Sequence, residues 1–343
     1  MNLLRYPLRW LARYRRQRGC YDHRTLGLYD RLWHNRGTPL DLLAWLRFRR
    51  DLGYALPLRL RQTLWQTLPA LSGKPFWQGC TLWLEGGGDP ARLARLLAQR
   101  PDHADGQRAL LQNPVLLQGL QAGGVMQLTV TQQLLARLVP QQPRWQQALR
   151  QALQQASQQQ GICVLGNAGG LRGQGLGARI DAHSWVLRFN CFQGGEVTVS
   201  DVGVKLQAQV LTGGSESCAV AADWLLLSGP AVLAMRQDWQ TVLPLCTERP
   251  LLTVPLPVWR SLVRRLKAPP SAGVLVLAWL RQWLGSWQGI SAAGFGALLP
   301  PDAATAGYHL ARSGHRAAAR HNWQGEHALL LQWRTQGLVS LHD

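Results

Sequence analysis

The chain has 343 residues, 46% of them hydrophobic, enough for two domains or one large one with a sizeable core. Its 37 Lys and Arg against 18 Asp and Glu give a formal net charge of +19, so a negatively charged partner is expected. No apolar run reaches the ~18 residues of a membrane-spanning helix, and six cysteines (Cys20, Cys80, Cys163, Cys191, Cys218 and Cys246) show neither zinc-ligand nor paired spacing.

Residues 1–61 carry 14 Arg and 4 Asp with no Lys or Glu, interleaved with Trp10, Tyr14, Trp33, Trp45, Phe48 and Tyr54. Three readings fit this mixture: an Arg-rich helical domain whose long stems cover apolar surface, contact with an anionic membrane, and nucleic-acid binding. The last rests on charge alone and is the least supported. Arg scattered through the first apolar positions leaves no clean core for a secretion signal, so a cytoplasmic chain is expected, with peripheral contact to an inner membrane. Leu and Ala recur at helical spacing over 90–99 and 130–157, and residues 1–155 are expected to form a mostly helical domain punctuated at Asp89-Pro90 and between Pro140 and Pro143.

Residues 156–343 read differently. Short apolar runs at 162–165, 185–189, 205–211, 224–227, 251–254 and 290–294 alternate with helical segments, which predicts an α/β layer with a largely parallel sheet. The first run leads into Gly166-Asn167-Ala168-Gly169-Gly170, a turn whose missing side chains let main-chain N–H groups approach an anion. The glycine spacing is not the dinucleotide fingerprint. Asn167 and Asn190 follow strand ends, where an Asn either satisfies its own backbone or offers an amide to a ligand. Ser271 precedes an apolar helical run as an N-cap, with Gly273 beside it. Of nine His residues, His321 is distinguished by its spacing to Glu326.

The order Gly166-Asn167, Leu171-Arg172, Gly177, Asp181, His183, Arg188, Asn190, Asp201-Val202-Gly203 and Lys205 resembles the large sialylmotif of the sialyltransferase family, glycosyltransferase family 29. Pro270-Ser271-Ala272-Gly273 with Gly294-Phe295-Gly296 resembles the small sialylmotif, His321 to Glu326 the terminal H-x-x-x-x-E pattern, and Tyr308-His309 the short third motif. The resemblance covers residues 160–335 and implies a bacterial member with a variant GT-A (Rossmann-like) domain at 156–343. It further implies an inverting, metal-independent glycosyltransferase, with no cofactor, that moves sialic acid from a CMP-sugar donor to a glycan hydroxyl. By resemblance His321 is the catalytic base and His309 the phosphate partner; Gly166, Asn167, Asn190, Ser271 and Gly273 bind the donor nucleotide, and Glu326, Arg188 and Asp201 support the site.

Family members carry hydroxyl residues where Ala168 and Ala272 stand, and Ile162 stands where the disulfide cysteine of secreted members lies, in keeping with a reducing compartment. Two alternatives follow from these departures: transfer from CMP-Kdo to lipopolysaccharide or a capsule glycolipid, and a non-catalytic module that binds glycan or nucleotide.

Overall fold

The computed structural model of the chain describes residues 5–342, apart from 36, 100–110, 125–126, 191, 193–197, 213–218, 221, 231, 236–238, 247–248 and 297–319. It divides into two units: Met1–Gln141 with Pro230–Thr247 and Trp259–Pro269, and Gln142–Gly229 with Glu248–Val258 and Pro270–Asp343.

The first unit is helical, and its helices begin where the sequence supplies caps. They are α1 (Arg5–Gln17), α2 (His23–His34), α3 (Pro39–Asp51), α4 (Leu58–Thr67), α5 (Gly73–Glu85), α6 (Pro90–Ala98) and α7 (Pro114–Ala122). Asp22 accepts the Thr25 N–H at 2.7 Å to start α2, Thr38 and Asp41 form a capping box at α3, and Asn113 accepts from Val115 and Leu116 at α7. Each cap satisfies donors that a helix start leaves orphaned, worth about 1 kcal/mol. Leu42, Leu46, Phe48, Leu64, Phe76, Leu93 and Leu116 are buried in one core. Arginines turned toward this core are paired: Arg9 with Asp41 at 2.7 Å, Arg15 with Asp22 at 2.7 Å and Arg16 with Asp51 at 3.0 Å.

Helix α8 (Val130–Gln158) continues through Pro140 and Pro143, so the expected break there does not occur. Each proline removes one main-chain donor, but Gln142 between them is fixed by tertiary bonds: its Nε2 donates to the Leu251 carbonyl at 2.8 Å and its Oε1 accepts from the Thr253 N–H at 3.0 Å. The local preference for a turn gives way to those contacts.

The second unit is built on seven parallel strands in the order β5-β4-β3-β2-β1-β6-β7. They are β1 (Ile162–Leu165), β2 (Trp185–Phe189), β3 (Ala208–Leu211), β4 (Trp224–Leu227), β5 (Leu251–Thr253), β6 (Ile290–Ala293) and β7 (Val339–Ser340). Every residue of β1, β3, β5 and β6 is buried, the pattern of strands covered on both faces. The run expected at 205–211 becomes a strand only from Ala208, because the Lys205 N–H is taken by Asp181 at 2.9 Å. Helices α9 (Gly177–Asp181) and α10 (Val199–Val202) follow β1 and β2; α11 (Val232–Met235) and α12 (Trp239–Cys246) belong to the first unit; α13 (Leu256–Leu266) follows β5. Helix α14 (Ala272–Leu284) then leads into β6, and α15 (Trp323–Thr335) into β7.

Candidate active site

Strand order locates the candidate site. From β1 the sheet grows outward through β2 to β5, then β6 returns to pair on the other side of β1. The direction of winding therefore reverses between β1 and β6, and the carboxyl ends of such a strand pair form the crevice where open α/β sheets take their ligands. The β1 end is Leu165-Gly166-Asn167, and the β6 end is Ala293-Gly294-Phe295.

Gly166 and Gly294 meet there backbone to backbone. The Gly166 N–H donates to the Ala293 carbonyl at 2.8 Å and the Ala168 N–H to the Gly294 carbonyl at 3.0 Å. A Cβ on Gly166 would lie 2.3 Å from the Gly294 oxygen, so no larger residue fits this approach. Gly273, at the start of α14, is equally confined: its Cβ would lie 2.5 Å from Cε1 of Phe295. The large-motif turn, the β6 end and the small-motif turn thus share one edge of the sheet.

Asn167 and Asn190 cross-brace this edge. Asn167 Nδ2 donates to the Phe189 carbonyl at the end of β2, 3.0 Å away. Asn190 follows Phe189 with φ +50°, a left-handed conformation that Asn tolerates better than most residues. Its Oδ1 accepts from both the N–H and the hydroxyl of Thr212 at 2.9 Å each, and its carbonyl accepts from Gln209 Nε2 at 2.8 Å. Neither Asn167 Oδ1 nor Asn190 Nδ2 bonds to a described residue, which leaves one acceptor and one donor group for a ligand.

Ser271 and Glu326 join the small motif to the terminal one. The buried Glu326 carboxylate accepts the Ser271 N–H at 2.7 Å and the Ser271 hydroxyl at 2.6 Å. Burial pushes the Glu326 carboxyl up and the two Ser271 bonds pull it back; burial wins, so it sits above the usual carboxylate range. Ser271 also caps α14, its oxygen 3.5 Å from the Val274 N–H, and Asn322 caps α15 by accepting from Gly325 at 2.9 Å. His321 directly precedes that cap, its ring edge-on to Trp323 with centroids 5.2 Å apart. The starts of α14 and α15 are therefore fastened together. His309 lies outside the described residues.

Arg188 and Asp201 sit beneath the edge as braces. Arg188 is buried and donates to the Lys205 carbonyl at 2.9 Å and the Val202 carbonyl at 2.8 Å, with Asp181 at 3.9 Å. Burial lowers its pKa and Asp181 partly restores it. Asp201 forms a capping box with Thr198 at α10 and accepts from Gly175 at 3.1 Å. Burial would raise this carboxyl, but the amides of Gly175, Gly173 and Thr198 outweigh it and hold it below the usual range. Cys163 in β1 is fully buried, which pushes its thiol up to about 12.

Three residues at this edge were not singled out by the sequence. Gln209 and Thr212 hold Asn190, and His342, after β7, accepts the Gly294 N–H on Nε2 at 3.2 Å. A strand of two residues gives no periodicity from which His342 could have been placed.

No curated protein matches the chain. A solved mammalian sialyltransferase in complex with Gal-beta-1-3GalNAc-ortho-nitrophenol, and a second mammalian sialyltransferase structure, each share 18% identity over 53% of this chain with a TM-score of 0.38, covering 69% and 68% of their own lengths. The model of glycosyltransferase family 29 (sialyltransferase) matches residues 106–224, a span that contains β1, β2, β3 and both site asparagines. Over that span the chain is similar to glycosyltransferase family 29, the sialyltransferase family.

Proposed function

We propose that the chain transfers an acidic sugar, sialic acid, from a CMP-sugar donor to a hydroxyl of a glycan acceptor, with inversion and without a metal ion, on a variant of the GT-A fold. The observation that carries this reading is the meeting of three separate sequence motifs at the β1/β6 edge: Gly166-Asn167, Ser271 to Gly273, and the α15 start held by Glu326. A CMP-sugar presents a phosphodiester, a ribose and a carboxylate. Asn190 Nδ2 suits a phosphate oxygen, Asn167 Oδ1 suits a ribose hydroxyl, and the free N–H groups at the α14 start suit an anion.

In the reaction the acceptor oxygen attacks the anomeric carbon as the bond from that carbon to the phosphate oxygen breaks. The acceptor proton passes to His321, whose imidazole has a ring nitrogen able to accept it. CMP leaves with the bonding electron pair, stabilised by a hydrogen bond from His309. No D-x-D sequence is present to hold a divalent ion against the donor. Ala168 and Ala272, where relatives carry hydroxyls, keep a second donor, CMP-Kdo, in consideration.

The test is CMP release from CMP-sialic acid and from CMP-Kdo across a panel of glycan acceptors. Acceptor-stimulated release from one donor, lost in His321→Ala while CMP still binds, is expected. Binding of CMP with no release from either donor would favour a non-catalytic module, and absence of CMP binding would overturn the reading.

A further inference from the structure

The first unit has a face that the glycosyl-transfer reading does not use. Helix α1 turns ~100° per residue, so Tyr6, Trp10 and Tyr14 fall on one stripe and Ala12 on the opposite side. The observed exposures follow: Tyr6 75%, Trp10 65%, Tyr14 46% and Leu11 38%, against 0% for Ala12. The Trp10 and Tyr14 rings stack with centroids 5.2 Å apart at 9°, a flat aromatic surface open to solvent. Leu11 and Arg15, at the edge of this stripe, line a cleft of about 380 Å³ whose other wall is His23, Arg24, Gly27, Leu28 and Arg31 of α2.

Charge on this face is unbalanced in one direction. Three of the four Asp of residues 1–61 are paired with arginines: Asp22 with Arg15, Asp41 with Arg9 and Asp51 with Arg16. Arg13, Arg18, Arg24 and Arg31 are exposed, and their side chains make no hydrogen bond or ion pair with a described residue. Arg9, Arg15 and Arg16 are thus paired with carboxylates, and Arg13, Arg18, Arg24 and Arg31 are paired with none among the described residues.

We infer that the α1 face and the adjoining α1–α2 cleft dock onto an anionic phospholipid bilayer, with Tyr6, Trp10, Leu11 and Tyr14 at the water boundary and Arg13, Arg18, Arg24 and Arg31 against lipid phosphates. Stacked exposed aromatics are costly in water and suited to a headgroup layer, and unpaired guanidiniums meet phosphate bidentately. An anionic bilayer supplies both complements at once. No helix among the described residues is long and apolar enough to cross a membrane.

The experiment is co-sedimentation of the full chain with vesicles of phosphatidylcholine alone and of phosphatidylcholine with phosphatidylglycerol. Binding to the anionic vesicles only, falling as salt is raised, is expected. Arg24→Gln/Arg31→Gln should weaken it about 30-fold. Trp10→Ser/Tyr14→Ser should weaken it on the order of tenfold. Both pairs are exposed, and unchanged far-UV circular dichroism will show that the fold is retained. Equal binding to neutral vesicles, or undiminished binding of both double variants, would overturn the inference. So would binding of single-stranded RNA, lost in Arg24→Gln/Arg31→Gln, without vesicle binding, which would reassign the face to nucleic acid.

Discussion

The bond pair between Ser271 and Glu326 makes a quantitative prediction. Glu326→Ala removes a buried carboxylate that accepts two short bonds, at 2.7 and 2.6 Å, and leaves the Ser271 N–H without its acceptor. A hydrogen bond to a charged group contributes about 1.5–3 kcal/mol net, and the cost of burying the charge, visible in the raised Glu326 pKa, places the pair at the lower end. The expected loss is therefore about 3 kcal/mol for Glu326→Ala. Ser271→Ala forfeits only the hydroxyl bond and a long cap contact, about 1.5 kcal/mol. Because the double variant cannot lose the hydroxyl bond twice, a double-mutant cycle should return a coupling of about 1.5 kcal/mol. Urea unfolding at neutral pH, followed by circular dichroism, measures all three variants. Additivity within about 0.5 kcal/mol would refute the direct contact.

The same carboxyl sets a pH dependence. A pKa raised in the folded chain means that the fold binds this proton more tightly than the unfolded chain does. The stability of wild type relative to Glu326→Gln should be greatest below the unfolded carboxylate pKa, about 4.3, and should decline as pH rises through the folded value. Asp201, whose pKa is lowered, should show the opposite trend: stability relative to Asp201→Asn is full above about pH 4 and lost as pH falls through the folded value. Asn190→Asp keeps the Oδ1 that Thr212 binds and the tolerance for φ +50°, but replaces the Nδ2 donor with a charge; CMP affinity measured by calorimetry should fall at least about tenfold with little change in unfolding free energy. Cys163 should resist alkylation by iodoacetamide in the native chain and react on unfolding in urea, since its thiol is buried with a pKa near 12.

Much of the sheet was legible because its signals are local. The runs at Ile162–Leu165, Trp185–Phe189 and Trp224–Leu227 are short, apolar and bounded by turn residues, and each is a strand over those residues. What escaped is what depends on partners far along the chain. Pro140 and Pro143 look like a helix end, yet α8 continues because Gln142 bonds to β5, more than a hundred residues away. Lys205 to Gln207 look like strand, yet Asp181 draws the Lys205 N–H into a turn.

At the site, residue types in order pointed to the motifs, but not to how they meet. That Glu326 reaches Ser271, 55 positions earlier, follows from where α14 and α15 start relative to the sheet, which no spacing encodes. Gln209, Thr212 and His342 carry no local pattern at all; they matter because β3 and β7 end beside the strands that bear Asn190 and Gly294. Arg188 was legible as a conspicuous cation but not as a buried brace, since burial of a strand-borne arginine depends on the carbonyls of Val202 and Lys205 closing over it.

A crystal structure of the chain soaked with CMP tests the central claim most directly. The account predicts nucleotide density at the carboxyl ends of β1 and β6, with its phosphate or ribose within hydrogen-bond reach of Asn167, Asn190 and the α14 start at Ser271 to Gly273. Density for CMP elsewhere on the chain, or an empty β1/β6 edge under saturating nucleotide, would contradict it.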